Sequence, residues 1–329
     1  MKRGALVISL DFELMWGIFD KVDWKEKEIY FRNTREVIPG ILGMFEEYEI
    51  SCTWATVGML FNNNWSEWNN NFPDFLPLYE NTGLSAYSYG NAFEDNRANE
   101  LFFAPHLVRE ILKVPRQELA THTYSHYYCL EEGQTPEAFK ADLEKNIELA
   151  LKWGVKLRSL VFPRNQFNAQ YLKICNDLGI RNVRSNPTDW YWKDTQKNGM
   201  LHKIYRTGDA YLGSNNKSYS FNSLQKTDNF PLSQKASRLL RPYSDNKVLN
   251  SMKLQRIFSE MTYAANHGEI YHLWWHPHNF GNNPEESLID LKKILDHYRE
   301  LKNKFGFQSM NMDEIYLNLE KCSSEKIIS

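Results

Sequence analysis

The chain has 329 residues, enough for one domain with a large core, and 42% of them are hydrophobic. Lys and Arg total 39 against 41 Asp and Glu, a formal charge of −2 without a basic block, which argues against nucleic acid as a partner. No apolar run approaches the roughly 20 residues of a membrane span, and Cys52, Cys129, Cys175 and Cys322 have no CxxC spacing.

The opening run MKRGALVISLDFE lacks a small-residue cleavage site, and its apolar part is too short for a signal peptide. A cytoplasmic protein with reduced thiols is expected. Ala5 to Leu10 reads as a short buried strand that ends, unusually, in two acids, Asp11 and Glu13. Side chains two apart on an extended backbone point the same way, so both face one space, with Phe12 turned to the opposite side. Thr34 to Glu49 has helical spacing, with Pro39 and Gly40 arguing for a late start, and Ile50 to Leu60 is a second strand. Strand, helix, strand suggests a parallel sheet.

Residues 61–105, with NNNWSEWNNNFPDFLP, break this pattern and read as an insertion that shapes the substrate site. Tryptophans in such Asn-rich segments suit sugar faces; the ordinary alternative for a large ring is a place in the core. A short helix at His106 to Leu112 and a strand at Glu118 to Thr121 lead into HTYSH. Thr135 to Trp153 is the clearest helix, with Thr135 as its cap, Pro136 at its first position, and Phe139, Leu143, Ile147 and Leu151 recurring every four residues. Leu157 to Phe162 is a strand, Asn168 to Leu178 a helix, and Ile180 to Arg184 a strand. Residues 213–247 read as a second irregular insertion. Met252 to Asn266 is a helix, Gly268 to His276 a strand, Pro284 to Phe305 a helix, and Gln308 to Met312 a last strand. About seven strands alternating with helices predict a single α/β domain, a distorted barrel or, as the alternative, an open doubly wound sheet. In either fold the site lies where strands end.

The residues that carry chemistry fall at those ends. His122 and His126 are four apart, a spacing that brings two imidazoles to one side of a helical turn and to one ion. Thr123 stands where a zinc peptidase carries its glutamate base, so a base must come from elsewhere, and Asp11 or Glu13 can supply it. In FPRNQ, Arg164 follows a strand and is suited to orient a carboxylate. In IYHLWWHPHN, His272, Trp274 and His276 share one strand face, and His276, at the strand's end, competes with His272 and His278 for the place of an acid.

In this order and context the chain resembles the polysaccharide deacetylases, the NodB-homology group called carbohydrate esterase family four, from about Gly4 to Leu317. SLDFE resembles the family's first motif in the variant where base and metal-binding acid are separated by one residue. CTWATVGML resembles its second strand, ELATHTYSH its histidine motif, FPRNQ its arginine motif and LWWH its last histidine motif. The resemblance implies a NodB-like barrel related to the TIM barrel, in which Glu13, His122 and His126 hold a divalent metal, usually zinc, with Mn, Co or Fe as alternatives. It implies Asp11 as general base, Arg164 as the group that orients it, and His276 as general acid, tuned by Asp189 or Asp209. Phe12 stands in the slot of the family's usual second aspartate. Arg184 and Trp274, with Trp16, Trp275 and His278, are expected to wall the substrate site. The implied reaction removes an N-acetyl group from an amino sugar and releases acetate. The alternatives are a metal-independent amidohydrolase of the same fold acting on small amides, and a non-catalytic sugar-binding protein.

Overall fold

In the computed structural model, which describes residues 3–93, 98–187, 208–211 and 216–328, the strand Ala5–Phe12 (β1) is buried along its whole length. That suits ALVISLDF, a nearly continuous apolar run of the kind found in parallel strands covered on both faces. The other strands are Cys52–Thr56 (β2), Gln117–Thr121 (β3), Ser159–Leu160 (β4), Asn182–Ser185 (β5), Tyr219–Ser220 (β6), Leu232–Lys235 (β7), Arg238–Leu239 (β8), Glu269–Trp275 (β9) and Gln308–Met310 (β10). They form one sheet in the order β6-β9-β1-β2-β3-β4-β5-β7, with β10 also on β1 and β8 on β9. Every pairing is parallel except β6 with β9. The run 232–239 closes the barrel: β7 pairs with β5, and two residues later β8 pairs with β9. Across the gap Ala236 N donates to Ser185 O and Ser237 N to His272 O.

Helices cover the outside. Glu28–Glu47 (α1) starts earlier than the sequence suggests and runs through Pro39, whose missing N–H is outweighed by the buried face of Phe31, Val37, Ile38, Ile41, Leu42 and Phe45. The segment 61–105, read as an insertion, is built largely of short helices among its described residues. These include Trp65–Asn70 (α2), Ala86–Asn91 (α3) and Asn99–Phe102 (α4). Trp65 and Trp68 are buried and pack on Trp16, with ring centroids 5.9 and 6.1 Å away. The next helices are Pro105–Lys113 (α5) and Pro136–Lys152 (α6), the latter capped by Thr135, whose side chain accepts from Ala138 N at 3.2 Å. They are followed by Ala169–Asp177 (α7), Lys247–His267 (α8), Pro284–Phe305 (α9) and a terminal helix, Met312–Ile328 (α10), that the sequence reading did not anticipate.

The two faces of β1 divide the labour. Leu6, Ile8, Leu10 and Phe12 join the large core under the helices, while Ala5 and Val7 join a small cluster with Ile270, Met312 and Ile315. Ser9 and Asp11 continue that second face toward the carboxyl end. Near the amino ends of the strands Glu118 accepts from Thr53 Oγ1 at 2.7 Å, and burial pushes its pKa up to about 7. A carboxyl with a raised folded pKa favours folding most fully below its unfolded pKa and loses that contribution as pH rises through 7. Glu118→Gln is therefore expected to melt higher than wild type at pH 8 and close to it at pH 5. Equal melting temperatures at both pH values would contradict this.

Candidate metal and catalytic site

The site lies at the carboxyl ends of β1, β3, β5 and β9, where parallel α/β barrels place their chemistry. Asp11 is the penultimate residue of β1 and Glu13 the first beyond it. Their carboxylates face one space, since His276 Nε2 lies 3.7 Å from both Asp11 Oδ2 and Glu13 Oε1. Both acids are 3% exposed, so their charges depend on partners.

Glu13 Oε2 lies 3.3 Å from His122 Nε2 and 3.1 Å from His126 Nε2. The spacing of the two histidines works differently from the helical turn expected. Residues 122–126 form a loop in which Thr123 and His126 adopt φ of 62° and 57°, and the rings meet with centroids 5.0 Å apart. His122 Nδ1 lies 2.8 Å from Val161 O, and a carbonyl only accepts, so Nδ1 carries the proton. In the neutral ring Nε2 then turns a lone pair toward the Glu13 carboxylate. Two lone-pair atoms at that separation repel unless a cation lies between them. His126 Nδ1 is held by Tyr128 OH at 3.1 Å, and burial pushes its pKa down to about 4, which keeps it a neutral donor. Glu13, His122 and His126 form a buried group whose donor atoms all lie within 4.8 Å of one another. One carboxylate and two imidazoles form a zinc-type donor set, and their spacing suits a tetrahedral ion whose ligands are about 3.3 Å apart for bonds of about 2 Å. The residues fit a divalent metal.

Gly17, which the sequence reading did not single out, completes this arrangement. A Cβ there would stand 1.9 Å from Glu13 Oε1. Gly17→Ala is expected to displace the carboxylate and weaken zinc binding by about 10-fold or more, with little change in the melting temperature of the metal-free protein. Unchanged zinc affinity in isothermal titration would contradict that role.

The arginine on Asp11 is Arg184, not Arg164. Arg184 Nη1 donates to Asp11 Oδ1 at 2.6 Å and Nη2 to Oδ2 at 2.7 Å, a bidentate pair, while Nη1 also reaches Ser9 Oγ at 3.1 Å. Ser9 Oγ in turn lies 2.8 Å from His272 Nε2. Burial pushes the pKa of His272 down to about 3, with the Arg184 charge adding to it, so the ring is neutral. For Asp11, burial alone would raise the pKa; Arg184, with His122 and His276, outweighs it and leaves the carboxyl below its ordinary value. Arg164 instead pairs with Asp20, and its guanidinium lies 4.0 Å over the Tyr128 ring. The reason is local: Arg164 sits on a turn with φ 52° after β4, whereas Arg184 lies within β5.

His276 follows β9 and is 26% exposed at its side chain, more open than the acids it faces. His278 stacks on it at 4.8 Å, with Nδ1 3.8 Å from Glu13 Oε1. Burial and the neighbouring His276 push the pKa of His278 down to about 3. Trp274 lies against Arg184, its ring centroid 4.2 Å from the guanidinium carbon. Trp275 and Trp16, both expected at the substrate wall, are in the core. Consecutive strand residues face opposite ways, so Trp275 packs outward on Phe280 at 6.0 Å. Trp16 is fully buried, its Nε1 donating to Phe102 O at 2.7 Å. Asp209 does not serve His276: it pairs with Lys217 and lies 3.7 Å from Arg238. Asp189 lies outside the described residues.

A family model described as polysaccharide deacetylase matches residues 18–183, about half of the chain. The chain belongs to the polysaccharide deacetylase family. The matched span holds His122, His126 and Arg164, while Asp11, Glu13, Arg184 and His276 flank it. No match is found among curated proteins. Among solved structures the deacetylase-family chain is similar to a candidate polysaccharide deacetylase from Mycobacterium smegmatis. That pair has a TM-score of 0.60 and 12% identity over 98% of this chain and 92% of the other. It is also similar to the allantoinase PuuE, with a TM-score of 0.52 and 9% identity over 94% of this chain and 87% of the other. A third similar structure is the 4-alpha-glucanotransferase from Thermococcus litoralis, with a TM-score of 0.52 and 11% identity over 96% of this chain and 40% of the other. At these identities the likeness is one of fold, a nearly closed, barrel-like parallel sheet. Among the described residues no helix is long and apolar enough to cross a membrane.

Proposed function

We propose that this polysaccharide deacetylase family member is a metal-dependent N-deacetylase of amino sugars that releases acetate. The observation that carries the reading is the convergence of Glu13, His122 and His126 on one point beside the Arg184-held Asp11. Glu13, His122 and His126 would hold a divalent metal, which would supply Lewis acidity and make a water easier to deprotonate, toward a pKa of about 7. Asp11 then takes the proton of the attacking water. Arg184 keeps Asp11 ionised and fixes both of its oxygens, so the base is in its acceptor form before substrate arrives. His276, more open than the two acids it faces, gives a proton to the departing nitrogen, which turns a poor leaving group into an amine.

In this reading the substrate is an N-acetylated amino sugar in a nucleotide- or lipid-linked polysaccharide precursor or in an oligosaccharide. The four free cysteines, three of them buried, are in keeping with a reducing cytoplasm. Incubating zinc-loaded protein with a panel of N-acetylhexosamines and their linked precursors is expected to release acetate from at least one. Turnover should stop with a chelator and return with metal. Acetate release that survives chelation would favour a metal-independent amidohydrolase, and sugar binding without turnover would favour a binding protein.

A further inference from the structure

The two histidines proposed as metal ligands are joined by a loop that does not favour its own shape. Thr123 and His126, neither a glycine, both occupy the left-handed region that side chains with a Cβ disfavour. Within the loop Thr123 Oγ1 donates to His122 O at 2.6 Å and accepts from Tyr127 N at 2.7 Å, and the backbone amides between the two histidines find their partners outside it. The helix α6 carries two buried polar groups one turn apart, Asp142 and Asn146. Asp142 Oδ1 accepts from Tyr124 N at 2.7 Å, and Oδ2 accepts from Ser125 N at 3.1 Å and Ser125 Oγ at 2.5 Å. Tyr87 OH adds a longer contact to Oδ2 at 3.4 Å. Asn146 Nδ2 donates to Thr121 Oγ1 at 2.6 Å, and the same oxygen accepts from Thr123 N at 2.9 Å. The backbone amides of residues 123–125 and the Ser125 hydroxyl are thus taken up, directly or through Thr121, by one face of α6.

A fully buried carboxylate is costly unless several donors surround it, and here those donors are the middle of the histidine loop. None of the proposed proton transfers uses this acid. We propose that Asp142 is a positioning residue for the metal site: it pins the amides of Tyr124 and Ser125 so that His122 and His126 project toward Glu13, and metal affinity depends on a carboxylate that is not itself a ligand. This rests on the reading of Glu13, His122 and His126 as the metal-binding set. An asparagine at 142 would keep the shape but turn an NH2 toward a donor, and an alanine would leave both amides unpaired.

The test is zinc affinity of the full chain, measured by competition with a chromophoric chelator, with melting temperatures of the metal-free proteins. Asp142→Asn and Asp142→Ala are expected to weaken zinc binding by about 10- to 100-fold, the alanine more. Thr135→Ala, which removes the cap of the same helix, controls for general loss of stability: it should lower the melting temperature and leave zinc affinity unchanged. Should Asp142→Ala not fold, Asp142→Asn and Ser125→Ala carry the comparison. Wild-type affinity in the folded Asp142 variants, or an equal loss in Thr135→Ala, would overturn the proposal alone. A wild-type protein that takes up no zinc would overturn the metal-site reading and this proposal with it.

Discussion

Asp11→Asn is expected to lower turnover by about 100- to 10,000-fold while zinc remains bound. The substitution keeps the size of the side chain and leaves Glu13, His122 and His126 untouched, so the metal site persists. What it removes is the only carboxylate at the site held bidentately by an arginine among the described residues. An amide has no basic lone pair at neutral pH, and its NH2 would face a guanidinium that only donates. Loss of turnover with wild-type zinc content is the predicted pair of results. Retained turnover would reject Asp11 as the base and shift that role to Glu13 or to a water-only mechanism.

Arg184→Met should have the largest effect on stability of any single substitution at the site. Arg184 and Asp11 are both buried, and removing one member of a buried pair leaves an uncompensated charge at a cost of about 3–5 kcal/mol. The pH dependence gives the prediction its sign. In wild type, Asp11 sits below its ordinary pKa, so it contributes stability above the unfolded value and loses it as pH falls through the folded one. Without the arginine the burial effect is opposed less, the folded pKa rises above the ordinary value, and the variant regains stability as acid protonates Asp11. Urea unfolding should therefore show a large deficit at pH 8 that narrows at pH 5. A deficit independent of pH would mean that Arg184 acts through packing on Trp274 and not through its charge on Asp11.

Much of this site is legible in the sequence because its residues end predictable strands. Asp11 and Glu13 stand out as acids closing an apolar run, and His122, His126 and His276 follow the runs that form β3 and β9. What misleads is geometry that only closure of the barrel supplies. Arg164 has the more suggestive context, beside a proline after a strand, yet the turn there carries it to Asp20. Arg184 lies within a strand whose interior face, shared with Asn182, becomes evident only once β7 and β8 complete the ring. These short strands, two to four residues long, leave too little periodicity to be read, and residues 213–247 pass for a loop. The histidine pair is similar: the spacing signals a shared ion, but the loop that delivers it depends on Asp142, twenty residues after His122 in the chain. Tryptophans mislead in the opposite direction. Trp65 and Trp68 sit among asparagines that cap and line a surface helix, so the polar neighbours say nothing about where the rings go.

The central claim is that Glu13, His122 and His126 together hold one divalent ion beside Asp11. An anomalous difference map, collected at the zinc edge from crystals of the zinc-loaded protein, measures this directly. The account predicts a single strong peak within bonding distance of Glu13 Oε2 and the Nε2 atoms of His122 and His126. No peak at that point, or a peak bound by other residues, would contradict it.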